Sequence, residues 1–288
     1  MRKLLPDWLY FQLVYFKNYK RLGNFKNPKF FSEKIFSRIQ SPLPIFSTLA
    51  DKVAVREYVK NILGEHYLIP CYGIYDRMTP EIFACLPEKF VLKANHSAGQ
   101  VLVVTEKSAH SPESVTAIAN AWLDEDYAES ARERHYQQIP PRLLAEKALL
   151  QNGESPDDYK VHVFNPHDGR KPFIFIQLIK GRGRELSHEI YLTDWKKAPF
   201  WRAGYKTIQQ EANSTRPSCL DEMIEAAIRL TGPLGYARVD FYVHEGRLFF
   251  GELTLTPAGG RVRFEPYRMD VQLGNLFAWP DQWPSKYF

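Results

Sequence analysis

Strands in this chain come in closely spaced pairs, and that pairing constrains the fold more than any other feature. Residues 90–94 and 100–105 are apolar runs separated by the small polar turn Asn95-His96-Ser97-Ala98-Gly99. Residues 236–243 and 247–255 flank Glu245-Gly246, and residues 159–164 and 173–179 flank a turn at 166–169. Such pairs read as antiparallel hairpins. A regular β-α-β alternation is missing, and no G-x-G-x-x-G follows the first strand, so a dinucleotide-binding doubly wound sheet is disfavoured. Further strands are predicted at 67–75, turning at Gly73, at 143–149 and at 189–192. Residues 28–66 read as helical with a break at 41–44, and Gly64 is a helix stop. Ser111-Pro112 opens a helix running to about Tyr127, with Ser at the cap and Pro in the first turn. Ser218 opens another to Leu230, residues 204–217 read as loop, and the tail from Arg261 to Phe288 reads as irregular. The sum is an α+β sandwich of antiparallel sheets.

Bulk properties exclude several classes. Apolar residues make up 44% and charged residues 25% of 288, ordinary values for a globular chain and unlike a disordered one. Three cysteines without a C-x-x-C pair speak against a disulfide framework or a zinc site, and suit a reducing cytoplasm. No signal peptide is read at the N-terminus. The early apolar stretch 8–16 falls short of the ~20 residues that span a bilayer. Its stripe Leu5, Trp8, Leu9, Leu13 and Phe16 is expected to pack on the body of the protein, with peripheral membrane contact as the alternative. A net charge of +5 permits a polyanionic partner. Nucleic-acid-binding signatures are absent, so no nucleic-acid partner is expected.

Three constellations carry chemistry. Arg238-Val239-Asp240-Phe241 and Gly251-Glu252-Leu253-Thr254 set two carboxylates twelve residues apart on adjacent strands of one hairpin. They can face each other, and a divalent cation bound to phosphates would resolve their repulsion. The other reading pairs them with Arg238 or another base. Lys93 ends an apolar strand before a tip able to present backbone N–H groups to phosphate, or else it snorkels beside the hairpin. Glu146-Lys147-Ala148 and Asp158-Tyr159-Lys160 offer a strand edge for a base, a carboxylate for ribose and a lysine for phosphate. Arg182, Arg184, Arg261 and Arg263 lie in loops beside these pieces, and their guanidinium forks suit carboxylates and phosphates.

The order of these pieces resembles the TupA-like ATP-grasp family of polysaccharide biosynthesis. The resemblance rests on Asp51-Lys52-x-x-x-Arg56-x-Tyr58-Val59, Phe90–Lys93 with Asn95-His96-x-x-Gly99, Glu146, Asp158-Tyr159-Lys160-x-x-x-Phe164-Asn165, Arg238-Val239-Asp240 and Gly251–Thr254 with Thr256-Pro257. It covers roughly residues 25 to 275. It implies a two-lobed α+β ATP-grasp fold with ATP and Mg²⁺ between the lobes: a helical N-terminal segment (1–70), a small lobe with the phosphate loop (71–148) and a large lobe with the metal site (149–288). Lys93 would hold phosphates, the loop carrying Asn95, His96, Ser97 and Gly99 would close over them, and Glu146 would lie at the adenine hinge. Lys52, Lys147, Ala148, Asp158 and Lys160 complete the expected nucleotide site. Asp240 and Glu252 match the metal ligands; Thr254 stands where an Asn is usual in the wider superfamily.

The function implied is an ATP-dependent carboxylate–amine ligase working through an acyl phosphate. Its substrates would be a uronic acid or other acidic glycan of a capsule, O-antigen or similar polymer, and an amino acid or small amine. Lys93, Arg238, Arg261 and Arg263 are the expected catalytic residues. The alternatives are a kinase acting on a sugar hydroxyl and a non-enzymatic polyanion-binding module.

Overall fold

The structure, a computed structural model, describes residues 5–151, 153–181, 187–205 and 214–280. The chain opens with four helices: α1 (Asp7–Tyr19), α2 (Phe31–Gln40), α3 (Ile45–Ala50) and α4 (Ala54–Leu63). Then come β1 (Cys71–Tyr75), α5 (Pro80–Cys85), β2 (Phe90–Ala94), β3 (Val101–Val104), α6 (Pro112–Leu123), α7 (Tyr127–Ala131) and β4 (Leu143–Lys147). The second half holds β5 (Asp158–Phe164), β6 (Phe173–Lys180), β7 (Ser187–Leu192), β8 (Trp201–Arg202), α8 (Leu220–Thr231), β9 (Tyr236–His244), β10 (Arg247–Thr254), β11 (Phe264–Glu265) and α9 (Arg268–Leu276).

Local signals set several of these boundaries. Gly64 closes α4 at φ 105°, a conformation open to glycine. The Ser111 hydroxyl accepts from the Ser114 N–H at 3.2 Å and caps α6, with Pro112 in the first turn. Other expectations fail. Gly73 makes no turn; it sits beside a bulge within β1, which stays paired with β4 through Tyr75. Ser218 caps nothing, because α8 begins at Leu220 behind Cys219. The tail is not irregular throughout: β11 and α9 form there, and α9 buries Met269, Asp270 and Leu273. Its helical period is short and sits among aromatics and prolines that read as loop.

Two antiparallel sheets carry the fold, in the orders β1-β4-β2-β3 and β10-β9-β5-β6-β7, and β11 pairs with β8. The smaller sheet packs Phe90, Leu92 and Val104 against Phe83 of α5 and Val115 and Ala119 of α6. The larger sheet has helices on both faces. Val161, Val239 and Phe241 pack against α3, α4 and α8 through Phe46, Val59, Met223 and Ala227. Phe164, Phe175 and Tyr236 pack against α1, α2 and α9 through Phe11, Tyr15, Phe36 and Leu273. The N-terminal helices therefore share both cores of the larger sheet. At the centre of this packing Arg38 is fully buried and donates to the carbonyls of Tyr236 and Leu255, each at 2.9 Å.

α1 does pack on the body, but not by its expected stripe. Phe11, Tyr15 and Tyr19, one helical turn apart, are its buried residues, and Tyr15 and Phe36 meet edge to face at 5.2 Å. Trp8, Leu13 and Phe16 stay exposed. No helix among the described residues is long and apolar enough to cross a membrane.

α9 crosses the start of α2 so closely that only glycine fits at 274. A Cβ there would stand 2.2 Å from the Lys29 carbonyl oxygen and 2.8 Å from the Phe31 nitrogen. Both are backbone atoms and cannot swing aside. Gly274→Ala should therefore destabilise the protein by about 1–3 kcal/mol, the usual scale for overpacking. Chemical denaturation of both forms measures this, and an unchanged midpoint would contradict the packing described.

Candidate active site

Period-two alternation sets Tyr236, Arg238, Asp240 and Tyr242 on one face of β9. The register with β5 places Phe164, His162, Lys160 and Asp158 beside them in that order. One end of this face is aromatic and covered: His162 stacks on Phe175 at 4.3 Å, and Phe164 lies 4.7 Å from Tyr236. The other end is charged and meets a cleft between the two sheets. A register shift between Phe250 and Glu252 brings Glu252 opposite Asp240 and Thr254 opposite Arg238. The residue at the shift is Gly251, where a Cβ would stand 2.9 Å from the Tyr242 ring and 3.1 Å from the Asp240 carbonyl oxygen.

Asp240 and Glu252 thus face each other, and the cations beside them are the protein's own, as in the reading that pairs them with Arg238 or another base. Arg238 Nε donates to Asp240 Oδ1 at 2.6 Å, and its Nη2 donates to Asp240 Oδ2 at 2.8 Å, Glu252 Oε1 at 3.0 Å and Thr254 Oγ1 at 2.9 Å. Lys160 donates to Asp240 and lies 2.9 Å from Asp158. Asp240 is buried and Glu252 half-exposed, and Arg238 pairs with both. Among the described residues no group of three or more His, Cys, Asp or Glu could hold a metal. The chain itself offers two facing carboxylates at the mouth of the cleft. Two carboxylates completed by phosphate oxygens and water form a donor set that fits magnesium. Thr254 is held by Arg238 and lies 3.2 Å from Glu252.

The smaller sheet supplies the opposite wall. Lys93 of β2 donates to Glu146 Oε2 of β4 at 2.7 Å, and Arg56 of α4 donates to Glu146 Oε1 at 2.7 Å. Both oxygens of Glu146 are thereby engaged. The Lys147 N–H donates to the Pro70 carbonyl at 2.9 Å, and Ala148 is buried. Between the walls lies a cavity of about 360 Å³. Its apolar side is Ile69, Val91, Val101, Val103, Leu149 and Tyr242; its charged side is Lys52, Lys93, Lys160, Asp240 and Glu252. A second cavity of about 290 Å³ shares Lys52, Ala98 and Glu252 with the first and continues past Arg238 to Tyr127, Glu133, His135, Tyr136 and Arg261.

The loop after β2 contributes less than expected. Ala98 and Gly99 line the first cavity, but the side chains of Asn95, His96 and Ser97 are buried behind them. Asn95 donates to Asp51 Oδ1 at 2.8 Å and to the Pro140 carbonyl at 3.0 Å, and accepts from the Arg142 N–H at 2.6 Å. Ser97 donates to Gln100, and Lys52 donates to the Ser97 carbonyl. These polar side chains anchor the loop, which leaves only its small tip free. Asp158 is likewise fully buried with Lys160 and lines neither cavity. Arg263 turns away to the Asn18 carbonyl at 3.2 Å and to Glu265 at 3.1 Å, so it is not at the site. Arg261 does line the second cavity. Arg182 and Arg184 lie outside the described residues.

Burial shifts several groups. It pushes the Lys52 ammonium below its usual pKa, against Glu252. His135 falls to about 3 through burial and the charge of Arg38, so it is neutral. Glu133, which no sequence signal singled out, rises to about 7 through burial, against a hydrogen bond donated by Thr256 and the charge of Arg261. It lies between Arg132 and Arg134, where charge on either side reads as solvated surface.

Two antiparallel sheets closing on a cleft lined by lysines and paired carboxylates define an ATP-grasp protein. The chain belongs to the family described as TupA-like ATPgrasp, whose model matches residues 36–278. Comparison with curated proteins gives no match. Among solved structures, the D-alanine-D-alanine ligase of Helicobacter pylori is 12% identical, with 80% of this chain and 61% of that one covered and a TM-score of 0.47. The N5-carboxyaminoimidazole ribonucleotide synthetase of Thermus thermophilus is 10% identical, with 72% and 45% covered and a TM-score of 0.39. The chain spans less than two thirds of the length of either protein.

The raised pKa of Glu133 makes stability depend on pH. A carboxyl whose pKa is about 7 when folded, against an ordinary 4.5, holds its proton in the native state where the unfolded chain has lost it. Its contribution is therefore fully present below about pH 4.5 and lost as pH rises through about 7. Stability differences between wild type and Glu133→Gln across this window should show that loss in wild type only. Parallel pH profiles for the two proteins would rule it out.

Proposed function

We propose that this protein is an ATP-dependent ligase that activates a carboxylate as an acyl phosphate and passes the acyl group to an amine. One observation carries the reading. Two cavities meet at Lys52, Ala98 and Glu252, one with apolar walls leading to lysines and facing carboxylates, the other polar and flanked by arginines. The first has the layout for a purine nucleotide: Val91, Val103, Ile69, Leu149 and Tyr242 enclose the base, and Lys52, Lys93 and Lys160 bind phosphates. Ala98 and Gly99 present no side chain large enough to block the backbone from phosphate oxygens. Asp240 and Glu252 would hold a magnesium ion, whose chemistry there would be to neutralise phosphate charge.

The second cavity receives the carboxylate. Arg238 and Arg261 border it, and a guanidinium keeps its proton and grips both oxygens of a carboxylate. Such a fixed cation is needed because two anions must approach to about 3–3.5 Å for reaction. Lys93 has a partner in Glu146, and reaching a phosphate means leaving it or sharing it. Catalysis is positioning and charge neutralisation, and no side-chain nucleophile is required. Family membership supports a uronic acid of a surface polysaccharide as the carboxylate and an amino acid or small amine as the acceptor.

The test is incubation with Mg-ATP, a panel of uronic acids and a panel of amines, with mass spectrometry for an amide. Amide formation with release of ADP is expected. ADP release with a phosphorylated sugar, indifferent to added amine, would replace this reading with a kinase. Glu252 has a side chain 43% exposed and can be removed without opening the core. Glu252→Ala should keep its far-UV circular dichroism while losing about 10²–10³-fold in ATP turnover, the scale for losing one fixed electrostatic group. Wild type should melt higher in Mg-ATP by mass action. No shift at millimolar nucleotide would contradict the assignment.

A further inference from the structure

The second cavity holds a carboxylate that nucleotide and carboxylate binding leave unused. Glu133 follows α7, and its side chain is buried, 8% exposed. Oε2 accepts from Thr256 Oγ1, while Oε1 has no hydrogen-bond partner among the described residues. A Cβ at Gly259 would lie 3.4 Å from Oε1 and 3.3 Å from Arg261 Nη2, so the turn after β10 folds directly over both groups. His135 Nε2 is 3.9 Å from Oε2 but neutral. Glu252, the other carboxylate lining this cavity, is bound by Arg238. Thus Glu133 offers this cavity an acidic oxygen with no ion pair to Lys or Arg among the described residues. Tyr127 and Tyr136 line the same cavity, and both feel the charges of Glu133 and Glu252.

We propose that Glu133 is a catalytic residue that binds the ammonium group of the amine substrate and takes its proton, so that the free amine attacks the acyl phosphate. This rests on the ligase reading. The substrate class is a protonated primary amine. Its ammonium gives one proton to the Glu133 carboxylate. The nitrogen lone pair then forms the C–N bond, the C–O bond to phosphate breaks, and the second proton leaves with the departing phosphate. Glu133 afterwards returns its proton to water. A pKa raised to about 7 by burial suits such a transfer near neutral pH. The groups facing Glu133 are Thr256, Arg261, His135, Tyr127 and Tyr136, and Arg261 is the cation that opposes its protonation.

The experiment compares wild type, Glu133→Gln and Glu133→Asp, each as the full chain with Mg-ATP. The carboxylates are glucuronic and galacturonic acids; the nucleophiles are glycine, L-alanine and L-lysine, or hydroxylamine, which is largely uncharged at neutral pH. Glu133→Gln should lose far less hydroxamate formation than amide formation and keep the Mg-ATP melting shift. Amide formation should fall by about 10²–10⁴-fold, the range for a lost general base, and recover as pH rises and frees the amine. Glu133→Asp should restore part of the loss. Wild-type amide rates and pH profile in Glu133→Gln overturn the proposal. So does hydroxamate falling in step with amide, which marks a structural role. If wild type forms neither product, the ligase reading fails, and this proposal with it.

Discussion

The row of charges on the cleft end of the larger sheet is the interaction on which the site depends. Burial alone would push the Arg238 guanidinium down, but Asp240 and Glu252 hold its pKa well above the usual value. The dependence is mutual. Two facing carboxylates repel, and Asp240, the buried one, would be left uncompensated without its cations. Lys160 extends the row by joining Asp158 to Asp240. Strand geometry alone makes the row possible, because residues two apart share a face and β5, β9 and β10 lie side by side. The shift beside Gly251 then brings Glu252 into line. A one-residue slip would turn its carboxylate to the opposite face, among the apolar side chains packed by α3, α4 and α8.

That geometry explains what was legible in the sequence. The hairpins, and with them Asp240, Glu252, Lys93 and Lys160, were readable because alternation and short turns are local. The carboxylates face one another, and the reading that pairs them with Arg238 is the one whose contacts are seen. Tertiary facts were not readable. Asn95, His96 and Ser97 look like a phosphate-binding tip, yet the Asn95 partners Asp51, Pro140 and Arg142 come from distant segments, and those contacts turn the loop's polar side chains inward. Glu133 is hidden for the same reason, since its burial comes from the turn after β10, more than 120 residues further on. In α1 the exposed stripe reads as apolar as the buried one, and distant neighbours such as Phe36 and the Gly260 and Val262 carbonyls decide which face packs.

The N-terminal helices do more than cover a sheet. The junction of α3 and α4 carries Asp51, Lys52 and, one turn on, Arg56. Asp51 accepts from Asn95, the Lys52 N–H donates to the Asn95 carbonyl at 3.3 Å, and Arg56 grips Glu146. Through these bonds a segment built into the core of the larger sheet holds both the loop and β4, one of the two inner strands of the smaller one. This junction links the two walls, as does the packing of Ile69 and Leu149 on Phe249. Movement of the loop tip would have to leave Asn95 fixed and bend at Gly99, which has φ 89° and open space around its Cα.

The same junction decides where chemistry can occur. Lys52 lines both cavities, and it is buried enough to lower its pKa while its ammonium still donates to the Ser97 carbonyl. A cation at a boundary of low dielectric acts more strongly on nearby anions than one in water. Glu252 stands at the same boundary with its charge balanced by Arg238. Anions entering from the nucleotide side and from the polar side would therefore be drawn to one point, between Lys52 and Arg238. Beyond that point, on the polar side, Glu133 is the next carboxylate lining the cavity. Cations at the meeting point and a carboxyl group behind it are the charge order that the proposed reaction of two anionic partners with a cationic third would require.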